Sequence, residues 1–209
     1  MKRVNAGYEI LTPIDRSEFL KTIERAGRTC YKSEDKITED SASKFVRMLV
    51  KRNHHAMLEH APSISIKFIC DRGVSHEIVR YRLFSFAQES TRYVNYSGKE
   101  MEFIKPCFWD SDNNGELYLE WYMLCVEAER VYKQMIEWGA KPEQARSVLP
   151  NSLKTEIIVT GNVREWMHFF KVRIASAAHP QMREIAEPLQ EELRELLPEI
   201  FDGIAVQDT

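Results

Sequence analysis

Between residues 77 and 97 the chain reads EIVRYRLFSFAQESTRYVNYS, placing Arg80, Arg82 and Arg92 among Tyr81, Phe84, Phe86, Tyr93 and Tyr96. Gln88, Glu89 and Ser90 stand between them. Guanidiniums are permanent cations that fork onto carboxylates and phosphates, and they also stack on flat rings. Ser90, Thr91 and Arg92 offer two hydroxyls, backbone N–H groups and a guanidinium in three residues, the inventory of a phosphate or ribose site. They do not form a phosphate loop of the G-x-x-x-x-G-K-[ST] kind, because the glycines and the lysine are missing. Taken alone, a Ser-Thr turn is the plainer reading.

Three other groupings could carry chemistry. In SHEIVRYR, a continuous helix would put His76 and Arg80 on one face and turn Arg82 about 200° away from Arg80. In NVREWMHFFKVR, Arg164 and His168 share a face while Arg173 lies about 140° round from His168. Cations on two faces, flanked by Trp166, Phe169 and Phe170, suit a helix wedged between ligands or between subunits. A salt-bridged amphipathic helix is the bland alternative. In NHHAMLEH, His54, His55 and His60 sit with Glu59, but H-E-x-x-H spacing and a cysteine partner are both missing. That loop is read as lining a polar ligand pocket, with plain surface histidines as the alternative, and no metal site is assigned.

The elements that must position these groups follow from pattern. Residues 15–28 and Thr38 to about Lys51 carry apolar stripes of helical period, and SISIKFIC alternates as a strand. A helix starts at GVSHEIVRYRLF, followed by an irregular stretch through SFAQESTRYVNYS. MEFIKP makes a short strand, NNGE opens a helix over about 116–138 closed by Gly139, and KPEQARSVL makes a shorter one. LKTEIIVTG is a second strand. Asn162, with Glu165 three places on, caps the helix VREWMHFFKVRIASAA. His179-Pro180 starts a final helix, expected to kink or break near Pro188.

The 209 residues have a net charge of −3, with 44% hydrophobic and 29% charged residues. That describes a soluble globular chain with no bulk attraction to nucleic acid. No window nears the roughly twenty apolar residues that span a bilayer. Cys30, Cys70, Cys107 and Cys125 are scattered without a C-x-x-C pair, which predicts reduced thiols and a cytoplasmic location. With no repeat, linker or low-complexity tract, residues 1–209 are expected to form one helix-rich α+β domain with a small, mostly antiparallel sheet.

Read together, the blocks resemble the flavin-dependent thymidylate synthases. That family's signature is Arg-His-Arg, seven residues, then Ser; here Arg80-Tyr81-Arg82 is followed by seven residues and Ser90. NHHAMLEH, STRY, EQARSVLP, TGNVREWMHFF and RIASAAHPQMREI are similar to family blocks in the same order, across most of residues 45–187. The resemblance implies reductive methylation of dUMP to dTMP, with methylenetetrahydrofolate as carbon donor and NADPH-reduced FAD as hydride source. No protein nucleophile is needed. It implies that Glu77, Arg80, Gln88, Glu89, Ser90, Thr91 and Arg92 hold dUMP, with Arg146 and Arg173 reaching it from a different chain. His54, Glu59, Arg80, Tyr81, Arg82, Gln88, Asn162, Arg164 and His168 would surround FAD. Arg173 would be the catalytic group, stabilising a uracil ionised at N3. The family is a homotetramer whose active sites are shared between chains.

Two positions depart from the pattern. The signature His is Tyr81, which keeps a ring with a hydrogen-bonding tip but loses an ionisable imidazole. Ala56 stands where relatives often carry Ser or Thr. Two other readings compete: a cysteine-dependent transferase, disfavoured by thiols without an activating motif, and a nucleotide- or RNA-binding module, disfavoured by the acidic charge and the lack of a basic stripe beyond 80–92.

Overall fold

The computed structural model describes residues 1–109 and 114–204. It is helix-rich α+β, 52% helical. In chain order the elements are β1 (Lys2–Val4), β2 (Gly7–Ile10), α1 (Arg16–Thr29), α2 (Ser41–Lys51), β3 (Ile64–Asp71), α3 (Arg72–Ile78), β4 (Ser85–Gln88), β5 (Glu102–Ile104) and α4 (Gly115–Glu137), followed by α5 (Pro142–Ala145), β6 (Lys154–Gly161), α6 (Val163–Arg173), α7 (Pro180–Leu196) and α8 (Pro198–Phe201). Short 3-10 turns cover Glu34–Lys36, His55–His60 and Arg146–Val148. β2, β3, β6 and β4 form a small sheet in that order, and β1 pairs in parallel with β5, Lys2 opposite Glu102.

The chain divides into two compact units. The first comprises Met1–Tyr8, Lys67–Arg80 and Phe86–Ile158; the second comprises Glu9–Ile66, Tyr81–Ser85 and Val159–Thr209. In the first unit α4 lays Trp121, Cys125 and Tyr132 against Tyr96, Met101, Phe103 and Leu153. Their spacing of four and seven is one stripe of a helix, so α4 is held by burying that stripe. In the second, Phe19, Ile23, Val46, Leu58, Trp166, Phe169, Phe170, Leu189 and Phe201 are buried. Gly161 is required there: a Cβ would come within 2.1 Å of the Phe84 ring, which packs 4.5 Å from Trp166.

Local expectations fared unevenly. Asn162 caps α6, its Oδ1 accepting from Glu165 N at 2.9 Å. The polar loop at 54–60 is a 3-10 turn whose Leu58 is buried, because one apolar side chain anchors it. α3 stops at Ile78, so Arg80 and Arg82 are not on a helix and the shared face of His76 and Arg80 is lost. The N–H of Val79 closes on Ser75 O and that of Arg80 on Glu77 O, which winds the helix down. The stretch expected to be irregular contains β4, whose backbone competes for the sheet. α6 also ends earlier than the pattern implied, at Arg173, and α7 runs through Pro188 without breaking. Asn113 of NNGE lies outside the described residues.

Candidate active site

In the first unit, the 88–92 segment is fixed by side chains from α3 and β6. Asp71 caps α3, accepting from Val74 N at 2.7 Å. This orients Arg72, whose Nη1 donates to Glu89 O and to Thr155 Oγ1, both at 3.1 Å. Gln88 Nε2 donates to Ser75 Oγ at 2.8 Å and to Thr155 Oγ1 at 3.3 Å. Ser75 and Thr155 are fully buried, so these bonds form in a low-dielectric setting where breaking them is costly.

Beyond Gln88 the chain turns. Tyr93 and Val94 both donate N–H to Ser90 O, and Arg92 N donates to Ser90 Oγ at 3.3 Å. Thr91 is buried and accepts from Arg146 Nη1 at 3.2 Å, so one chain already brings Arg146 beside the Ser-Thr-Arg turn. Arg92 is exposed and its guanidinium lies 5.2 Å from the Tyr93 ring. Glu89 accepts from the Tyr96 hydroxyl at 2.9 Å; burial first, then the Glu89 carboxylate, pushes that hydroxyl well above the usual phenol range. Glu77 is half-buried on α3, and Arg80, which follows α3, is exposed.

In the second unit, a cavity of about 590 Å³ is lined by Asn53, His55, Glu59, Leu83, Asn162 and residues of α6. From α6 come Arg164, His168 and Lys171, spaced four and three apart and therefore on one face. The opposite face buries Trp166, Phe169 and Phe170. Glu59 holds Arg164 in an exposed ion pair. The wall thus offers four cationic or imidazole groups, two amides and two carboxylates, a polar set suited to a planar ligand of cofactor size that carries both donors and acceptors.

Tyr81 is not a wall residue. It is 7% exposed, its ring 5.5 Å from His168, 5.3 Å from Phe169 and 6.0 Å from Phe84. The Arg173 guanidinium sits 5.2 Å from the same ring. His54 and Arg82 are exposed, and His55 lines the cavity instead of His54.

The sequence reading missed Lys171, Arg72, Ser75 and Thr155. Lys171 was findable, because it lies seven residues beyond Arg164 on the same helical face. The buried hydroxyls carried no signal, since their partners are 13 and 67 positions away. Among the described residues no three of His, Cys, Asp or Glu gather to hold a metal, and no helix is long and apolar enough to cross a membrane.

Residues 14–199 match the family model described as "Thymidylate synthase complementing protein". The chain belongs to the flavin-dependent thymidylate synthase family. A relative of that name from Pyrococcus furiosus is 34% identical over 196 residues, covering 92% of this chain and 79% of the relative. One from Corynebacterium aurimucosum is 35% identical over 207 residues, covering 91% and 82%. A solved structure of a UMP/dUMP methylase, PolB from Streptomyces cacaoi, bound with 5-Br dUMP, superposes with a TM-score of 0.78. It covers 99% of this chain and 100% of that one at 22% identity, a likeness of fold. In this family member the helix-rich α+β class and the small sheet therefore stand as expected.

Proposed function

We propose that the protein methylates dUMP to dTMP, taking carbon from methylenetetrahydrofolate and reducing equivalents from NADPH through FAD. The observation that carries this is the polar cavity beside α6, lined by Arg164, His168 and Lys171, in a chain of this family. The donor set fits a flavin nucleotide: Asn162, Arg164 and His168 would hold it, with Glu59, His55 and Lys171 beside it. Bound there, the flavin supplies the hydride that turns the transferred methylene into a methyl group. The uracil C5 proton leaves as the new carbon bond forms, so atoms balance without a thiol.

The chain's own residues provide binding, orientation and charge. Gln88, locked on Ser75 and Thr155, would present its amide oxygen to the nucleotide. Ser90, Arg92 and Arg146 would take the phosphate, since a turn of N–H groups with two guanidiniums neutralises a dianion. Glu77, Arg80, Glu89 and Thr91 complete the proposed nucleotide contacts, with His54, Tyr81 and Arg82 on the flavin side. Arg173 would stabilise negative charge at uracil N3; a guanidinium stays protonated and cannot be the base.

Sharing of sites between chains in a homotetramer belongs to the same proposal. Leu117 and Leu124, seven residues apart on one face of α4, are both exposed, apolar surface that favours association. A cytoplasmic location is likewise proposed. The deciding experiment measures dTMP formed from dUMP, methylenetetrahydrofolate and NADPH by the purified, FAD-supplemented protein. Tritium release from [5-³H]dUMP that depends on FAD supports the reading, and its absence in folded, flavin-loaded protein overturns it.

A further inference from the structure

In the first unit, the turn offered to a phosphate is tied down at both ends. Its entry is fixed on the sheet: Glu89 N donates to Glu156 O at 2.9 Å, and Arg72 Nη1 donates to Glu89 O at 3.1 Å. The turn itself closes through the N–H groups of Tyr93 and Val94 on Ser90 O. Its exit is fixed seven residues on from Glu89, where the Tyr96 hydroxyl reaches back to Glu89 Oε1 at 2.9 Å. Ser90, Thr91 and Arg92 are therefore enclosed by a side-chain bond that spans the whole turn.

Tyr96 can hold that bond because its ring belongs to a core. It is buried in one cluster with Met101, Phe103, Trp121 and Leu153, its ring 5.9 Å from that of Tyr132 on α4. Its N–H donates to the Tyr132 hydroxyl. The same cluster buries Ala145, the residue before Arg146, and Arg146 Nη1 donates to Thr91 Oγ1 at 3.2 Å. One packed core thus carries both the turn and the guanidinium beside it.

The carboxylate makes the bond a strong one. A hydroxyl donating to a charged acceptor contributes more than one donating to a neutral group. Burial, and then the Glu89 charge, hold the phenol protonated and so keep it a donor. Glu89 Oε2 is buried with no hydrogen-bond partner among the described residues, so the Tyr96 hydroxyl is the side-chain donor that offsets the desolvation of this group.

We propose that Tyr96 is a positioning residue for the nucleotide phosphate, its hydroxyl on Glu89 holding the Ser90–Arg92 turn in its binding shape before the ligand arrives. The proposal rests on the functional reading above for its effect on dUMP, while the closed turn is a property of the fold. A turn ordered in advance removes an ordering cost from binding, so the effect of losing it falls on affinity and not on the chemical step.

The test compares the full-length, FAD-loaded protein with Tyr96→Phe, which keeps the ring and removes the donor. The KM for dUMP should rise about tenfold, the equivalent of one hydrogen bond to a charged group, while kcat stays near the wild-type value. Arg92→Ala should also raise KM, and the double variant Tyr96→Phe/Arg92→Ala should lose less than the product of the single losses, since the hydroxyl acts through the turn that carries Arg92. By hydrogen exchange, the N–H groups of Tyr93 and Val94 should open about tenfold more readily in Tyr96→Phe, with those of α4 unchanged. Losses that multiply, a fall in kcat at unchanged KM, or protection kept at Tyr93 and Val94 or lost throughout α4 would each overturn the proposal. If Tyr96→Phe does not fold, 4-fluorophenylalanine at position 96 fills the hydroxyl's space without donating. It should give the same rise in KM and the same loss of protection, and wild-type values would be equally fatal. A wild-type protein that neither binds nor converts dUMP removes the functional reading and leaves the exchange rates to decide whether Tyr96 holds the turn.

Discussion

Arg164 Nη1 and Glu59 Oε1 lie 2.5 Å apart although 105 positions separate them in the chain. Both side chains are about half exposed, 50% and 45%, and both line the cavity of the second unit. An exposed pair of this kind contributes about 0–1 kcal/mol to stability. Its value lies in aiming a guanidinium at the cavity. Arg164→Ala should therefore weaken FAD binding about tenfold or more, read by flavin fluorescence titration, while the thermal midpoint moves by only a few degrees. A large loss of stability with unchanged FAD affinity would make Arg164 a structural residue.

Arg173 is where the largest catalytic loss is expected. Arg173→Ala should reduce single-turnover conversion of dUMP with pre-reduced enzyme by roughly two to three orders of magnitude, the size seen when one preorganised charge stabiliser is removed. Arg173→Lys should recover little, because an ammonium reproduces neither the planar fork nor its stacking on a ring. A near-wild-type rate for the Ala variant at saturating dUMP would leave Arg173 with binding alone.

The thiols should be dispensable. Burial pushes the Cys70 thiol far up and raises that of Cys125, so neither supplies thiolate at neutral pH. Cys30 and Cys107 are exposed, and neither lines the cavity. A quadruple Cys→Ala/Ser variant that folds and binds FAD should still form dTMP. Loss of turnover in such a variant would restore a covalent mechanism.

Acid stability should depend on Glu199. Burial alone would raise its carboxyl, but hydrogen bonds from Arg16 and Ser43 overcome this and hold it down at about 2. Arg16 Nε donates at 3.1 Å and Ser43 Oγ at 2.7 Å. A depressed carboxyl contributes stability in full above its unfolded value, near 4.5, and loses it as pH falls toward 2. Denaturant midpoints should thus decline through that window. Glu199→Gln should be less stable at pH 7 and show a flatter decline; an unchanged slope would place the acid sensitivity elsewhere.

The sequence by itself determined whatever depends on neighbours along the chain. β3 and β6 follow from alternation, because a strand buries every second side chain. The start of α6 follows from Asn162 and Glu165, since the cap bond spans three residues. The ordered blocks were enough to point to the family. Where α3 would stop was not legible: VRYRLF keeps a helical composition, and the turn at Val79–Arg80 competes with a helix that local propensity alone does not reject. Nor was the setting of Tyr81. As a sequence letter it was a substitution in a signature beside a flavin; in the fold it is a buried ring between His168 and Arg173. Gln88 finds Ser75 and Thr155, Thr91 finds Arg146, and Arg164 finds Glu59 only when chain segments tens of residues apart are folded together. Such contacts form because packing brings the partners within hydrogen-bond range and, at the buried hydroxyls of Ser75, Thr155 and Thr91, excludes the water that would otherwise satisfy them, a condition no local window of sequence contains.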